Sequence, residues 1–357
     1  MNSEITSQEQ PTHHSGGQTV NFAELTDAAL QALDARSRDI IVRRFGLGKE
    51  EKETLESIGK EYGITRERVR QIEANAKKEL TTMRDLFGSI ETLLTRVFQE
   101  HGGLLAEHHA VEIVNDATGA NVSTHTLHFY LTIIPHFAPA QPNNLFETHW
   151  KHEESLHAQI ETIVLVAMEI LKEKNAPIAL TDLTSEISRK LTGNVPDTHI
   201  RAALKASKHV SKTAFGDWGL IGWAETSPRG VGDKAFAVLR RNGKPAHFRD
   251  ITKMINDAAF DQKKANPQTV HNELIKDGRF ILVGRGLYGL KEWGYMAGTV
   301  ADVLESILAK ATAPMSKQEL VEEVLKQRMV KKNTILLSLQ NTDRFSKTEK
   351  DLYTLKK

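Results

Sequence analysis

Between positions 65 and 71 the chain reads Thr65-Arg66-Glu67-Arg68-Val69-Arg70-Gln71, a run rich in side chains suited to reading nucleic acid. An arginine fork matches guanine O6 and N7, and a glutamine amide pairs with adenine. Arginine also binds phosphate, which positions a protein without reading sequence. With Val69, Ile72 and Ala76 as the buried stripe of a helix, Arg66, Arg68, Arg70 and Gln71 are left to reach outward. The same pattern also suits a three-helix protein-binding domain with a solvated basic face. A second concentration of chemistry-bearing residues is the histidine group His101, His108, His109, His125, His128 and His136. Three of these on one side would suffice for zinc. The competing reading is scattered surface histidines, because no carboxylates are spaced to enforce a site. There is no His-Glu-x-x-His run, no phosphate loop ending in Gly-Lys-Ser/Thr, and no cysteine, so thiolate zinc sites, disulfides and cysteine nucleophiles are excluded. The expectation is a chain that is not an enzyme, with no cofactor and no bound metal.

The elements that must position these residues are legible in residues 25–80. A first apolar periodicity runs through Leu30, Leu33, Ile40, Ile41 and Phe45 and stops at Gly46. A second follows Thr54, a candidate N-cap, through Leu55, Ile58 and Tyr62, and Gly63 breaks it. Thr65 then caps a third helix. A short helix, a glycine turn and a second helix carrying cations make a helix-turn-helix. The 357 residues allow roughly two to four small domains. Net charge is +1, so any nucleic-acid surface must be local. Residues 1–20, which include His13 and His14, are polar and read as a disordered tail rather than a signal peptide. No apolar run is long enough to cross a bilayer, and a cytoplasmic protein without membrane contact is expected.

Residues 25–80 closely resemble region 4 of the primary-type bacterial sigma factors. The resemblance is carried by Arg36, Arg38, Arg43-Arg44-Phe45-Gly46-Leu47, Thr54-Leu55-Glu56-Ser57-Ile58-Gly59 and Thr65-Arg66-Glu67-Arg68-Val69-Arg70-Gln71-Ile72-Glu73. It implies a domain over residues 21–83 that reads a −35 promoter element in double-stranded DNA and docks on the RNA polymerase beta flap. On that resemblance Arg66, Glu67, Arg70 and Gln71 face base edges, Glu67 by accepting from cytosine N4, while Thr65 and Arg68 face phosphate. The flap-contacting surface would come from Ile40, Ile41, Phe45 and Leu47. The departure is that only about twenty residues precede this stretch and more than 270 follow it. With nothing to read a −10 element, a self-sufficient initiation factor is not expected.

The remainder becomes orderly when aligned with itself. Val270, Leu274, Phe280, Tyr288 and Leu290 recur 65 residues later as Ile335, Leu339, Phe345, Tyr353 and Leu355. Ile200, Val210, Trp218, Leu220 and Trp223 precede Val270, Phe280, Tyr288, Leu290 and Trp293 by 70, and Leu127, Phe137 and Trp150 form a fainter copy at an offset of 143. Each unit reads as three helices and a short β-hairpin, so the expected fold is mainly α: a helix-turn-helix followed by winged-helix units over 84–152, 157–225, 233–295 and 299–357. The hairpin signal is clearest where Gly284-Arg285-Gly286 separates two β-rich runs. Tyr288 is expected to pack back on the helices, with base stacking as the alternative.

The units over 233–295 and 299–357 resemble the HARE-HTH winged helix, which is also the folded part of the RNA polymerase delta subunit. The motifs are Pro245-Ala246-His247-Phe248-Arg249-Asp250-Ile251 and Gly286-Leu287-Tyr288-Gly289-Leu290. That resemblance implies DNA or protein binding and no catalysis. A nuclease would need a carboxylate–lysine set on a sheet, and only short wings are available. Secondary nucleic-acid contacts are expected from Arg201, Lys205 and Lys208 in one unit and from Arg279 and Arg285 in another. The third helix of the latter offers a weak electrostatic footprint, with Lys276 as its only cation against Glu273 and Asp277. Two readings stand side by side: a sigma-like transcription regulator acting on promoter-type DNA, RNA polymerase or both, and a protein-interaction adaptor built of winged helices. The target sequence, the sign of regulation and the oligomeric state are not legible.

Overall fold

The computed structural model describes residues 20–49, 51–191, 193–348 and 351–356. The tail reading, with His13 and His14, falls outside the described residues. The fold is mainly helical, with short antiparallel hairpins between groups of helices. Its residues gather into two compact units, one running up to Ala167 and including Thr184–His209, the other made of Met168–Leu183 and the chain from Val210 onward.

The first unit begins with α1 (Phe22–Gln31), α2 (Ala35–Phe45), α3 (Leu55–Tyr62) and α4 (Arg66–Thr82). Their boundaries follow from side-chain capping. Asp34 accepts from the Arg36 and Ser37 amides, Thr54 from Ser57 and Thr65 from Arg68, so each helix starts with one of its orphan donors satisfied. The α3–α4 turn needs two glycines. Gly63 closes α3 at φ +62°, and a Cβ on Gly59 would lie 2.8 Å from the Ile64 carbonyl oxygen. Ile40, Ile58 and Val69 are fully buried together and lock α2, α3 and α4 into the helix-turn-helix, with Leu55, Tyr62, Ile64 and Ile72 around them. At about 1.5–3 kcal/mol for each buried aliphatic side chain, this small cluster is a principal brace of the motif.

The helix-turn-helix does not end in solvent on its other side. α5 (Arg84–Glu100), β1 (Leu104–Leu105), α6 (Glu107–Thr118), α7 (Thr124–Ile133), β2 (Phe137–Ala140) and β3 (His149–His152) follow, with the sheet ordered β1-β3-β2. Ile41, Phe45, Leu47, Ala76 and Leu80 share one continuous core with Phe87, Ile90 and Leu94 of α5 and with Leu127, Phe129, Tyr130 and Leu131 of α7. Phe45 meets Phe129 edge-on at 5.3 Å between ring centroids, and Tyr130 contacts Phe22 and Phe87 in the same manner. The Thr26 hydroxyl donates to the Phe22 carbonyl, and the Tyr130 hydroxyl lies 2.8 Å from the Thr26 oxygen.

α8 (His157–Lys174), α9 (Leu180–Lys190), α10 (Asp197–Ala206), β4 (Val210–Lys212) and β5 (Trp218–Leu220) come next, and the division between the units falls within α8 and α9. α10 belongs to the first unit and packs on β1, burying Ile200, Ala202, Ala203 and Leu204.

In the second unit α11 (Val231–Asn242), β6 (Ala246–His247), α12 (Phe248–Ala258), α13 (Pro267–Lys276), β7 (Phe280–Gly284) and β8 (Leu287–Leu290) enclose a core of Val238, Leu239, Ile251, Ile255, Val270, Leu274, Phe280, Tyr288 and Leu290. Tyr288 lies in this core, in agreement with the packing expectation. α14 (Val300–Lys310), β9 (Met315–Ser316), α15 (Lys317–Gln327), α16 (Lys332–Ser338), β10 (Phe345–Lys347) and β11 (Leu352–Leu355) repeat the plan around Leu304, Leu320, Val324 and Ile335. Arg328 joins the two groups. It is buried, and its guanidinium donates to the carbonyls of Leu282, Met296 and Gly298, while the Met329 amide bonds the Val283 carbonyl at 2.9 Å.

Candidate nucleic-acid interface

The first two turns of α4 present Arg66, Glu67, Arg68, Arg70 and Gln71 to solvent, and Thr65 at their head is exposed as well. Val69 points the other way and is fully buried, so the apolar anchor fixes which way the polar side chains face. The exposed side chains are paired with one another. Arg70 donates through Nε and Nη2 to both Glu67 oxygens at 2.8 and 2.7 Å, and Arg68 donates to the Gln71 carbonyl oxygen at 3.2 Å. The fork from Arg70 holds the Glu67 carboxyl below its usual range and raises Arg70 in turn. Both groups are open to water, so these pairs order the side chains without adding much stability. The polar side chains spread over the solvent side of the helix opposite Val69, the side a helix in a major groove presents to DNA.

Several cations that carry the sequence resemblance serve a different purpose. Arg43 is buried, and its guanidinium reaches Glu53, Glu61 and Asp39. These carboxylates, Glu53 first, push its pKa far upward. Arg44 bonds Glu73 and the Glu53 carbonyl, and Arg38 donates to the carbonyls of Leu30, Gln31 and Leu33. Tyr62 donates to Asp39 at 2.8 Å and carries the Arg36 guanidinium over its ring. These residues hold α2 against the segment before α3 and against α4, and so aim the exposed face. Sequence reading assigned them no role. The one available signal was their conjunction with acidic residues, since spacing does not reveal pairs ten to twenty-nine positions apart.

The residues expected to supply a docking surface, Ile40, Ile41, Phe45 and Leu47, are not on the surface of this chain. All four are buried, Ile40 inside the helix-turn-helix and the others beneath α5 and α7. Their apolar area is covered by the chain itself. Of the secondary cations, Arg201 and Arg285 are exposed and Lys208 is half-buried. Lys205 is tied to Glu112 on α6. Arg279 is clamped by Asp277 and Asp233, at 2.6 and 2.8 Å, and lies over Phe236. Both cations are thus engaged in ion pairs, Lys205 and Arg279 with Glu112 and Asp233 distant in sequence and Arg279 also with Asp277 two positions before it.

The histidines do not converge. His128 bonds Glu107, His136 sits between Glu91 and Glu153, His125 reaches the Lys49 carbonyl, and His101 reaches that of Val97. His108 lies on α6. His109 is buried, with Nδ1 unpartnered; burial, reinforced by Lys205, lowers its pKa to about 3. Among the described residues no group of three or more His, Asp or Glu is placed to hold a metal ion, and no helix is long and apolar enough to cross a membrane.

Residues 29–81, which take in α2, α3 and nearly all of α4, match the family model for sigma-70, region 4. Residues 29–81 are a sigma-70 region-4 domain. RNA polymerase sigma factor RpoS of Coxiella burnetii (strain RSA 493 / Nine Mile phase I) is 42% identical over 71 residues, which is 20% of this chain and 20% of that protein. The chain thus spans about a fifth of the length of the curated relative it matches. Within the region-4 domain the exposed residues Arg66, Glu67, Arg68, Arg70 and Gln71 are borne by the domain's last helix, α4. Residues 231–293, from α11 past β8, match the HARE-HTH family model, a helix-turn-helix domain named in part for ASXL and restriction endonucleases.

Proposed function

We propose that this chain is a non-enzymatic transcription regulator that binds promoter-type double-stranded DNA, of −35 character, through the first two turns of α4. The observation that carries this reading is the exposed, mutually ordered set Arg66, Glu67, Arg68, Arg70 and Gln71 on a helix anchored by Val69, within a sigma-70 region-4 domain. Arg66, Glu67, Arg70 and Gln71 meet base edges, while Thr65 and Arg68 meet phosphate. RNA polymerase is the protein partner this reading implies. Any contact by this domain uses a face other than Ile41, Phe45 and Leu47, which α7 covers. Of the secondary cations, exposed Arg201 and Arg285 and half-buried Lys208 are left to support binding elsewhere on the chain.

A protein-interaction adaptor is the second reading. It is favoured by the internal use of Lys205 and Arg279, which removes cations from two third-helix-and-wing surfaces. Salt dependence separates the two. DNA binding releases counterions and weakens steeply as salt rises, whereas an apolar protein interface shifts little. The test is fluorescence anisotropy on duplexes of varied sequence. Arg70→Ala and Gln71→Ala each relax sequence discrimination by ~1–3 kcal/mol, and Arg68→Ala weakens all duplexes alike.

A further inference from the structure

Three histidines come together where α10 meets the rest of the first unit. His101, just past the end of α5, holds its Nδ1 2.7 Å from the Val97 carbonyl oxygen, and its ring lies edge-on to that of His109 on α6, 6.0 Å away. His199 on α10 is buried, with Nδ1 3.2 Å from Gln159 Oε1, and the charge of His101 bears on it. His109 is buried too, and its Nδ1 has no partner. It faces α10, because Glu112, one turn further along the same side of α6, is bound by Lys205 of α10. Both ends of α10 are tied down. The Thr198 hydroxyl donates to the Glu100 carbonyl at 2.5 Å, and the Glu147 amide donates to the Ala206 carbonyl at 3.0 Å.

This arrangement favours neutral rings. The charged and titratable neighbours that bear on His109 are Lys205 and Arg201 of α10, His101 at the end of α5 and His108 on its own helix, all of them basic. The acids of α6 on this side do not offset them, since Glu112 is bound to Lys205 and Glu107 to His128. A proton added to His109 or His199 would be buried beside positive charge. Burial, then Lys205, lowers the pKa of His109 to about 3, and burial, then His101, lowers that of His199. Undocking α10 takes Lys205 and Arg201 away and admits water, so both rings return toward an ordinary value near ~6.5. The docked state is therefore fully favoured above that pH and loses ground as pH falls below it. What α10 covers is apolar: it packs on β1, and its Ala202 lies in the core shared by the helix-turn-helix, α5 and α7.

We propose that α10 is an acid-released latch on the first unit, opened by protonation of His109 and His199. Each depressed histidine favours the released state about tenfold for every pH unit below ~6.5, so His109 alone supplies a shift of about 30-fold between neutral pH and pH ~5. His199 adds to it. Release uncovers β1 and withdraws Ala202 from the shared core, while the cluster of Ile40, Ile58 and Val69 stays closed. The latch does not depend on what α4 binds.

The test is hydrogen exchange by mass spectrometry on the full chain at pH 7.5 and pH 5.0, with each rate corrected for the intrinsic exchange rate at that pH. Protection of the α10 and β1 amides should fall about 30-fold or more between the two, and at pH 5.0 these amides should be less protected than those of α3 and α4. His109→Gln with His199→Gln should hold α10 protection nearly level across the same range. Unchanged α10 protection in the unaltered chain overturns the proposal. Equal protection of α10, α3 and α4 at pH 5.0 also overturns it, because that marks one global opening. Acid-induced loss that persists in the double variant does so too, since the trigger is then another group. Histidine ring NMR on the unaltered chain is a check that needs no variant. The His109 and His199 signals should titrate together at the pH where α10 loses protection, and titration of either ring while α10 stays protected overturns the latch.

Discussion

Replacing Phe129 by alanine tests whether the region-4 domain and the helices after it form one structural body. Phe129 is fully buried on α7, with its ring 5.3 Å from that of Phe45 on α2 and 5.2 Å from that of Tyr130. Removing a buried phenylalanine costs about 3–5 kcal/mol, from lost transfer energy and the cavity left behind. The Phe45 pairing accounts for about 0.5–1.5 kcal/mol of that, which a double-mutant cycle with Phe45→Ala isolates. Against a typical total of about 5–15 kcal/mol, the loss runs from roughly a fifth of the unit's stability to nearly all of it. Urea unfolding followed by far-UV circular dichroism measures it, and hydrogen exchange at the α2 and α4 amides reports whether the helix-turn-helix loosens together with α7. A change below about 0.5 kcal/mol, or full loss confined to α5–α7 with α2 and α4 protection intact, would refute the shared core.

Three further outcomes follow from buried polar groups. Arg43→Ala strands Glu53 and Glu61 and is expected to cost about 2–3 kcal/mol, below the usual ~3–5 for a broken buried pair because Glu61 is largely exposed; urea unfolding is the check. His109 is neutral when folded, with its pKa lowered to about 3, while the unfolded chain takes up a proton near pH ~6.5. Stability is therefore fully present above that pH and falls by up to ~1.4 kcal/mol per pH unit as acidity increases toward 3; His109→Gln should flatten a plot of unfolding midpoint against pH. Arg328→Ala leaves the carbonyls of Leu282, Met296 and Gly298 without their shared donor, and faster hydrogen exchange at Met329 is expected, with a cost of about 2–3 kcal/mol.

The sequence carried those parts of the fold that local chemistry decides. Thr54, Gly63 and Thr65 mark the ends of α3 and the start of α4 because caps and positive φ are local needs. The internal repeat even anticipates strand register: Phe280 pairs with Leu290, Phe345 with Leu355 and Val210 with Leu220, as the offsets of 65 and 70 align them. The fainter copy slips, since the longer connection over residues 141–148 places Phe137 opposite His152. What covers an apolar face was not legible. The periodicity of α2 says that Ile41 and Phe45 are buried, but not that α7 buries them. Charge suffered likewise, because Arg279 finds Asp233 across forty-six residues, and the inward turn of Glu273 depends on where α11 begins.

The most direct test of the account is duplex binding by the full chain across a salt series, with Arg70→Ala/Gln71→Ala and Arg68→Ala beside the unaltered protein. The account expects affinity to fall steeply with salt, sequence preference to relax in the first variant, and uniform weakening in the second. Affinity insensitive to salt, or a sequence preference unchanged by substitution at Arg70 and Gln71, would contradict it.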